Sequence, residues 1–183
     1  MINEIRNKLK REWHLRVLQE DPMDYKISLM RKAGYVIGKN CKLYSSLGTP
    51  EPYLVQIGNN VTISFGVTVI THDNSPIKII HGMTDVVGKV VVGDNCFIGA
   101  NCLLLPGVWI ADHTVVAAGS VVTKSVREAG KILGGNPAKV IGTWDDFKRK
   151  NEEYCFNFDG MSFEEKKKLI LDNENKLVLR DFL

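Results

Sequence analysis

A mainly β fold, a parallel β-helix wound from hexapeptides, is predicted by two observations. The first is a six-residue period: Ile37, Ile57, Ile63, Val69, Val92, Ile98, Leu104, Ile110 and Val116 each open a hexad on an aliphatic side chain. The fifth positions are small or β-branched (Cys41, Val61, Val67, Cys96, Cys102, Val108, Thr114 and Ser120), with Asp73 as the misfit. The second observation is the fourth position, which holds Asn40, Asn60, Gly66, His72, Asn95, Asn101, Gly107, His113 and Gly119. Glycine, asparagine and histidine accept positive φ most readily, so a tight left-handed corner is expected once per hexad. Short strands joined by such corners and stacked on themselves make a parallel β-helix.

The remaining elements follow in order. Ile2, Ile5, Leu9, Trp13 and Val17 recur at three- and four-residue steps, the stripe of an amphipathic helix. Asp21, Pro22 and Asp24 open a second helix, and Gly34 can end it. Residues 1–34 are thus an N-terminal helical segment. It either plugs the open end of the coils, where strand edges lack partners, or helps to bind a substrate. The repeat domain spans 35–143 and is interrupted twice. Gly48-Thr49-Pro50-Glu51-Pro52 is a short loop, and about 73–91 is a longer excursion expected to project as an arm towards a neighbouring subunit. Residues 144–183 form a helical tail in which Ser162 and Glu165 make a capping box for one helix running to about Asn175, docked on the outside of the coils.

Composition narrows the function. The 24 basic and 21 acidic residues leave a net charge of +3, too balanced to favour nucleic acid or an anionic membrane. No apolar run approaches the ~20 residues of a membrane span, and the N-terminus lacks a signal-peptide core. A soluble, cytoplasmic protein is expected. Cys41, Cys96 and Cys102 fall at inward fifth positions and read as buried thiols; no Cys-x-x-Cys spacing argues for a metal.

Two histidines stand at fourth positions, and a corner histidine needs no function. His72 is set apart because the long excursion leaves the coil directly after it, whereas His113 has no loop beside it. An imidazole held at the lip of a loop can meet a bound substrate.

The repeat resembles that of the hexapeptide-repeat acyltransferases, in particular the maltose, galactoside and capsular-polysaccharide O-acetyltransferases. The resemblance implies a left-handed β-helix with three faces and three hexads per coil. It implies an acetyl-CoA-dependent O-acetyltransferase, without a metal, in which His72 is the general base of a direct transfer to a hydroxyl of a sugar or polysaccharide precursor. The backbone of Ala100 falls at the donor near the thioester, and that of Ala118 at a contact to the pantetheine arm. Thr123 and Lys124 match contacts to the adenosine end of coenzyme A. Lys139 stands where many relatives carry arginine, offering the 3′-phosphate a charge without bidentate geometry. The family also implies a homotrimer with active sites between subunits.

Three further residues are candidates for acceptor contact. Glu51 lies in Thr49-Pro50-Glu51-Pro52-Tyr53, which resembles a stretch of relatives that modify cell-surface polysaccharides. It has three readings: orienting His72, binding sugar hydroxyls, or a solvated loop carboxylate, the last being favoured. His81 and Asp85 lie in the excursion and read as solvated unless the acceptor reaches them. Competing functions are an antibiotic O-acetyltransferase, which shares the Gly135-Asn136-Pro137-Ala138-Lys139 ending, and a non-catalytic β-helix scaffold. The zinc carbonic anhydrases of the same fold need a histidine pair five apart, which His14, His72, His81 and His113 do not supply.

Overall fold

The computed structural model describes residues 2–18 and 21–179. The chain divides into two compact units, Met1–Gly142 and Thr143–Leu183.

The first unit carries three sheets that the chain visits in turn, with parallel pairing from coil to coil. One stacks Val36–Ile37, Val55–Ile57, Val90–Val92 and Trp109–Ile110. The second contains Lys42–Leu43, Thr62–Ile63, Phe97–Ile98, Val115–Val116, Lys131–Gly134 and Lys139–Thr143, and the third Thr68–Val69, Leu103–Leu104 and Val121–Val122. Uninterrupted coils repeat every 18 residues, as in Phe97 opposite Val115 and Leu103 opposite Val121. The short loop stretches one coil to 20 residues, and the arm stretches the next to 35, without breaking the stack. Loop closure grows only slowly in cost with length, so insertions at a corner leave the ladder intact.

The period fills the interior as expected. Every hexad-opening aliphatic residue from Ile37 to Val116 is buried, and so are the fifth positions except Asp73. Backbone φ is positive at Asn40, Asn60, Gly66, Asn95, Asn101, Gly107, His113 and Gly119. His72 is the exception, and the expected corner is corrected there. It lies extended with Asp73, antiparallel to Val86–Val87, so the chain leaves the coil through a hairpin stem. The apparent equivalence of His72 and His113 therefore fails: His113 turns at φ 54° and His72 does not turn.

One row of corners is laced by side chains. The Lys39 amide donates to Asn59 Oδ1 (3.0 Å), Asn59 N to Asp94 Oδ1 (2.7 Å) and Asp94 N to Asp112 Oδ1 (2.8 Å). Each Asx oxygen occupies the space where the residue before the donor would carry Cβ. At Gly93 a Cβ would lie 2.3 Å from Asp112 Oδ1 and 2.7 Å from Asp112 N. Gly93→Ala is accordingly expected to destabilise the protein by about 1–3 kcal/mol, as overpacking does, read from the midpoint of chemical denaturation. An unchanged midpoint would show that the ladder yields without cost.

Helix α1 (Ile2–Glu12) continues into a widened turn, Trp13–Val17, closed by Leu18 N donating to Trp13 O (3.2 Å). Helix α2 (Pro22–Ala33) is capped by Asp21, which accepts from Met23 N (2.7 Å) and Asp24 N (3.3 Å), and ends at Gly34 with φ 115°. Helix α2 acts as the plug: Ile27 and Met30 join the core, and Lys26 Nζ donates to Leu43 O (2.6 Å) at the first coil's free edge. Arg31 does the same for Ile37 O and Gly38 O. The α1 stripe does not share this role, because Ile5, Leu9 and Trp13 remain exposed; the side chains of Ile2 and Val17 lie outside the described residues.

In the second unit, helix α3 (Trp144–Asn151), an element beyond the one helix expected in the tail, has its own capping box from Thr143 and Asp146. Helix α4 (Phe163–Leu171) opens on the expected Ser162–Glu165 box but stops short of Asn175. Asn173 Nδ2 takes the carbonyl of Leu169 (2.9 Å), and a separate single turn, Glu174–Lys176, follows. Asp and Asn favour such local alternatives over a helix interior. Among the described residues, no helix is long and apolar enough to cross a membrane.

Candidate active site

Stacking brings the short loop to the start of the arm. Leu47, just before the loop, bridges Thr68, just before the arm, so the loop's carboxylate lies beside the point where the chain departs. Glu51 Oε2 accepts from Thr71 Oγ1 (2.5 Å) and lies 2.8 Å from His72 Nδ1. The Glu51 amide donates to Thr49 Oγ1 (3.2 Å), and Thr49 and Thr71 share a short hydroxyl hydrogen bond. Thr71 has spent its one proton on Glu51, so Thr49 must be the donor between the two hydroxyls. The bonds close a ring: amide to Thr49, Thr49 to Thr71, Thr71 back to the carboxylate. Thr71 is buried, which holds that ring rigid. The expectation of a solvated loop carboxylate at Glu51 is thereby corrected, since only 23% of its side chain is exposed and it is bonded from two sides.

The ring sets the histidine's chemistry. The Thr71 hydroxyl foremost, then His72, holds the Glu51 carboxyl below its usual range, so it is ionised near neutral pH and can only accept. Nδ1 of His72 therefore carries the proton, leaving Nε2 with a free lone pair. The hydrogen bond to Glu51 raises the His72 pKa above 6.5; partial burial opposes this, and the charges of Glu51, Asp85 and Asp73 add to it. His72, 34% exposed, lines a cleft of about 200 Å³ with Gly48, Thr49, Pro50, Thr68 and Thr71.

The other expected residues lie in different places. Asp85 adjoins the hairpin stem, close enough for its charge to reach His72. His81 is exposed in the outer arm, where Ile77–Thr84 surround a separate open hollow of about 490 Å³; it is not brought to His72. Ala100 and Ala118 stack at the corner that precedes the third sheet, with Gly119 N donating to Ala100 O (2.8 Å). His72, Thr123 and Lys124 follow the strands of that same sheet, at its opposite edge. Thr123 and Lys124 are exposed, and so is Lys139 at the start of Lys139–Thr143.

Ala100 and Ala118 differ physically from the laced corners. On that row an Asx side chain from the next coil takes each amide, whereas Ala118 offers Ala100 no acceptor. The Ala100 and Ala118 amides have no hydrogen-bond partner among the described residues. Alanine also lets a ligand approach the backbone closely. A thioester carbonyl with developing negative charge fits such donors.

The repeat cysteines are inert. Burial pushes the Cys96 thiol up to about 11 and raises that of Cys102. Cys41 is buried and donates to Gly58 O (3.1 Å). Cys155 is exposed in the second unit. Among the described residues, no group of three or more His, Cys, Asp or Glu gathers as a metal site would require.

The chain is similar to several known proteins. Residues 89–124 match the family described as bacterial transferase hexapeptide (six repeats). Protein CapG of Staphylococcus aureus is 38% identical over 148 residues, covering 78% of this chain and 86% of that protein. Galactoside O-acetyltransferase of Escherichia coli (strain K12) is 30% identical over 125 residues, covering 66% of this chain and 58% of that one. In fold, the chain resembles a maltose O-acetyltransferase from Clostridium difficile 630, with a TM-score of 0.52 over 76% of this chain and 84% of that chain, at 24% identity.

Proposed function

Because the chain belongs to the hexapeptide-repeat family of bacterial transferases and is an acyltransferase, we propose that it transfers an acetyl group from acetyl-CoA to a hydroxyl of a sugar or polysaccharide precursor in the cytoplasm. His72 is the general base. The observation that carries this reading is the ring of Thr49, Thr71 and Glu51, which presents one imidazole in a fixed tautomer beside a hydroxyl-lined cleft.

Acetyl-CoA supplies an activated thioester. Nε2 of His72 takes the proton of the acceptor hydroxyl as its oxygen attacks, and Glu51 holds the resulting imidazolium. The Ala100 amide stabilises the oxyanion of the tetrahedral stage. When the carbon–sulfur bond breaks, His72 returns its proton to the departing sulfur. Ala118, Thr123, Lys124 and Lys139 hold the coenzyme, Lys139 as a point charge on phosphate. Cys96 and Cys102, whose burial keeps the thiol protonated, take no part as nucleophiles, and Cys41 is buried away from the cleft.

Coils of left-handed sense, as in the family, complete the proposed fold, and the assembly is a homotrimer. Two facts support a shared site. The 200 Å³ cleft falls short of the roughly 300–1,000 Å³ usual for small-molecule sites. Ala100 and Ala118 also stand across a sheet from His72 of their own chain. A second subunit brings the two halves together, and the arm, with Ile77, Ile79, Ile80 and Met83 exposed, is suited to reach it. His81 and Asp85 are placed on that arm to meet the acceptor.

An acceptor screen tests the reading: thiol release from acetyl-CoA is followed against sugars, nucleotide sugars and hydroxylated antibiotics. Turnover with a sugar class is expected. Turnover confined to antibiotics would overturn the acceptor assignment.

Glu51→Gln provides a second test. Removing the carboxylate lowers the His72 pKa, so the acid limb of the kcat/KM profile moves to lower pH, since the neutral imidazole is the active form. The plateau falls by no more than the about 10²–10⁴-fold a general base supplies. Stability responds as well. The contribution of Glu51, whose folded pKa is depressed, is present above 4.5 and lost as pH falls through its folded value. That of His72, whose pKa is raised, is fully present below 6.5 and lost as pH rises through its folded value. The variant should therefore lose stability mainly between pH 4.5 and 6.5. An unmoved acid limb would show that Glu51 does not act through His72.

A further inference from the structure

Helix α1 is oriented unlike a helix that packs on a protein core. Ile5, Leu9 and Trp13 form one stripe and are 54%, 66% and 57% exposed. Asn7 and Arg11 lie on the opposite side of the helix, and together with Lys8 and Lys10 at its margins they line an open hollow of about 450 Å³ with Tyr25 and Leu29 of α2. A surface helix ordinarily buries its apolar stripe and exposes its charges; here the arrangement is reversed. The ring of His14 lies 4.7 Å from that of Tyr25, which ties the end of the helix to α2 while the stripe points away.

The charge on this segment is concentrated. Residues 2–18 contain Arg6, Lys8, Lys10, Arg11 and Arg16 against Glu4 and Glu12, five positive minus two negative, or +3. That equals the net charge of the whole chain, so the balanced composition conceals a local excess. Arg16 is paired with Glu12 at 2.6 Å, while Arg6, Lys8, Lys10 and Arg11 form no ion pair among the described residues. At about 100° per residue, Lys8 flanks the stripe on one side and Arg6 and Lys10 flank it on the other.

We propose that α1 docks on an anionic lipid surface, with Ile5, Leu9 and Trp13 in the acyl boundary and the flanking lysines and arginine at lipid phosphates. A narrow apolar stripe with a tryptophan, bordered by basic residues on both sides, is what an in-plane interfacial helix presents. The outer arm of a second copy matches it poorly. The exposed apolar stretch of the arm, Ile77–Met83, carries Lys78 and His81 and no acidic residue, so it offers no opposite charge. The proposal is independent of the acyl-transfer reading.

The experiment sediments the full-length protein with vesicles of phosphatidylcholine alone and of phosphatidylcholine with about one third phosphatidylglycerol. At low salt, binding to the anionic vesicles is expected to be at least about ten-fold stronger, and about 0.5 M salt should abolish the difference. Lys8→Glu with Lys10→Glu should reduce binding by about five-fold or more per site. Leu9→Glu should abolish it with the circular dichroism and gel-filtration volume unchanged, since Leu9 is exposed. In the unaltered protein, brominated acyl chains should quench part of the tryptophan emission, and Trp13→Phe should remove that part. Equal binding to both vesicle types, binding to neither, or a Leu9→Glu protein that binds vesicles normally but dissociates into smaller species would overturn the proposal. The last result would assign the stripe to a second copy.

Discussion

His72→Asn should lower kcat for acetyl transfer by about 10²–10⁴-fold, the range a positioned general base supplies, while coenzyme A binding and thermal stability stay close to those of the unaltered protein. Asparagine is the informative replacement because its side-chain amide can still donate to Glu51. The ring of Thr49, Thr71 and Glu51 then keeps its geometry, and only the lone pair at Nε2 is lost. The loss should diminish at high pH, where hydroxide competes for the acceptor proton. Near-normal turnover at neutral pH would remove His72 from the chemistry and leave the ring as a structural clamp on the two loops.

Ala118→Asp should be almost as damaging, for a reason visible only by comparing corners. In the laced row, Asn59, Asp94 and Asp112 each take the amide of the coil before: those of Lys39, Asn59 and Asp94. A glycine precedes each donor, and its missing Cβ leaves room for the oxygen, as at Gly93. Gly99 stands in the same relation to Ala100, and its Cβ would fall 2.5 Å from Ala118 N. The geometry for lacing exists, and Ala118 withholds the acceptor. An aspartate there should bond the Ala100 amide, place negative charge where the oxyanion forms and cost about 10²–10³-fold in kcat, the usual effect of losing one such donor. Stability should hold or rise slightly, since a backbone donor gains a partner. Loss of folding would show that the corner does not accept the ladder, and unaltered turnover would show that the Ala100 amide is not the oxyanion donor.

The period-six pattern made the strands and the buried positions legible down to single residues, because a stacked coil repeats one local solution and leaves each hexad little choice. Cys41, Cys96 and Cys102 could be placed inside on that basis alone. His72 could be singled out because the pattern broke after it. What misled was the assumption that its fourth-position register implied a turn. The hairpin pairing of His72 with Val87 replaces the corner, and a histidine that accepts positive φ is not thereby obliged to adopt it. Glu51 carried no such signal: it lies in an inserted loop outside the ladder, where the register shifts from Lys42 opposite Thr62 to Leu47 opposite Thr68, so spacing alone does not foretell its contact with Thr71. In the tail, the Thr143–Asp146 box is hard to read from sequence because its N3 residue is aspartate, whereas Ser162 with Glu165 has the usual Ser-x-x-Glu form.

The sequence by itself determined the coil, its interior and the place where it opens, since those depend on contacts among residues at short, regular spacings. Only the tertiary structure decided that a loop carboxylate holds the tautomer of His72, that the Ala100 amide is left unlaced, and that α1 turns its apolar stripe outward. Each of those facts depends on which residues of different coils or helices meet, and a repeat with insertions of variable length does not reveal that until the coils are stacked.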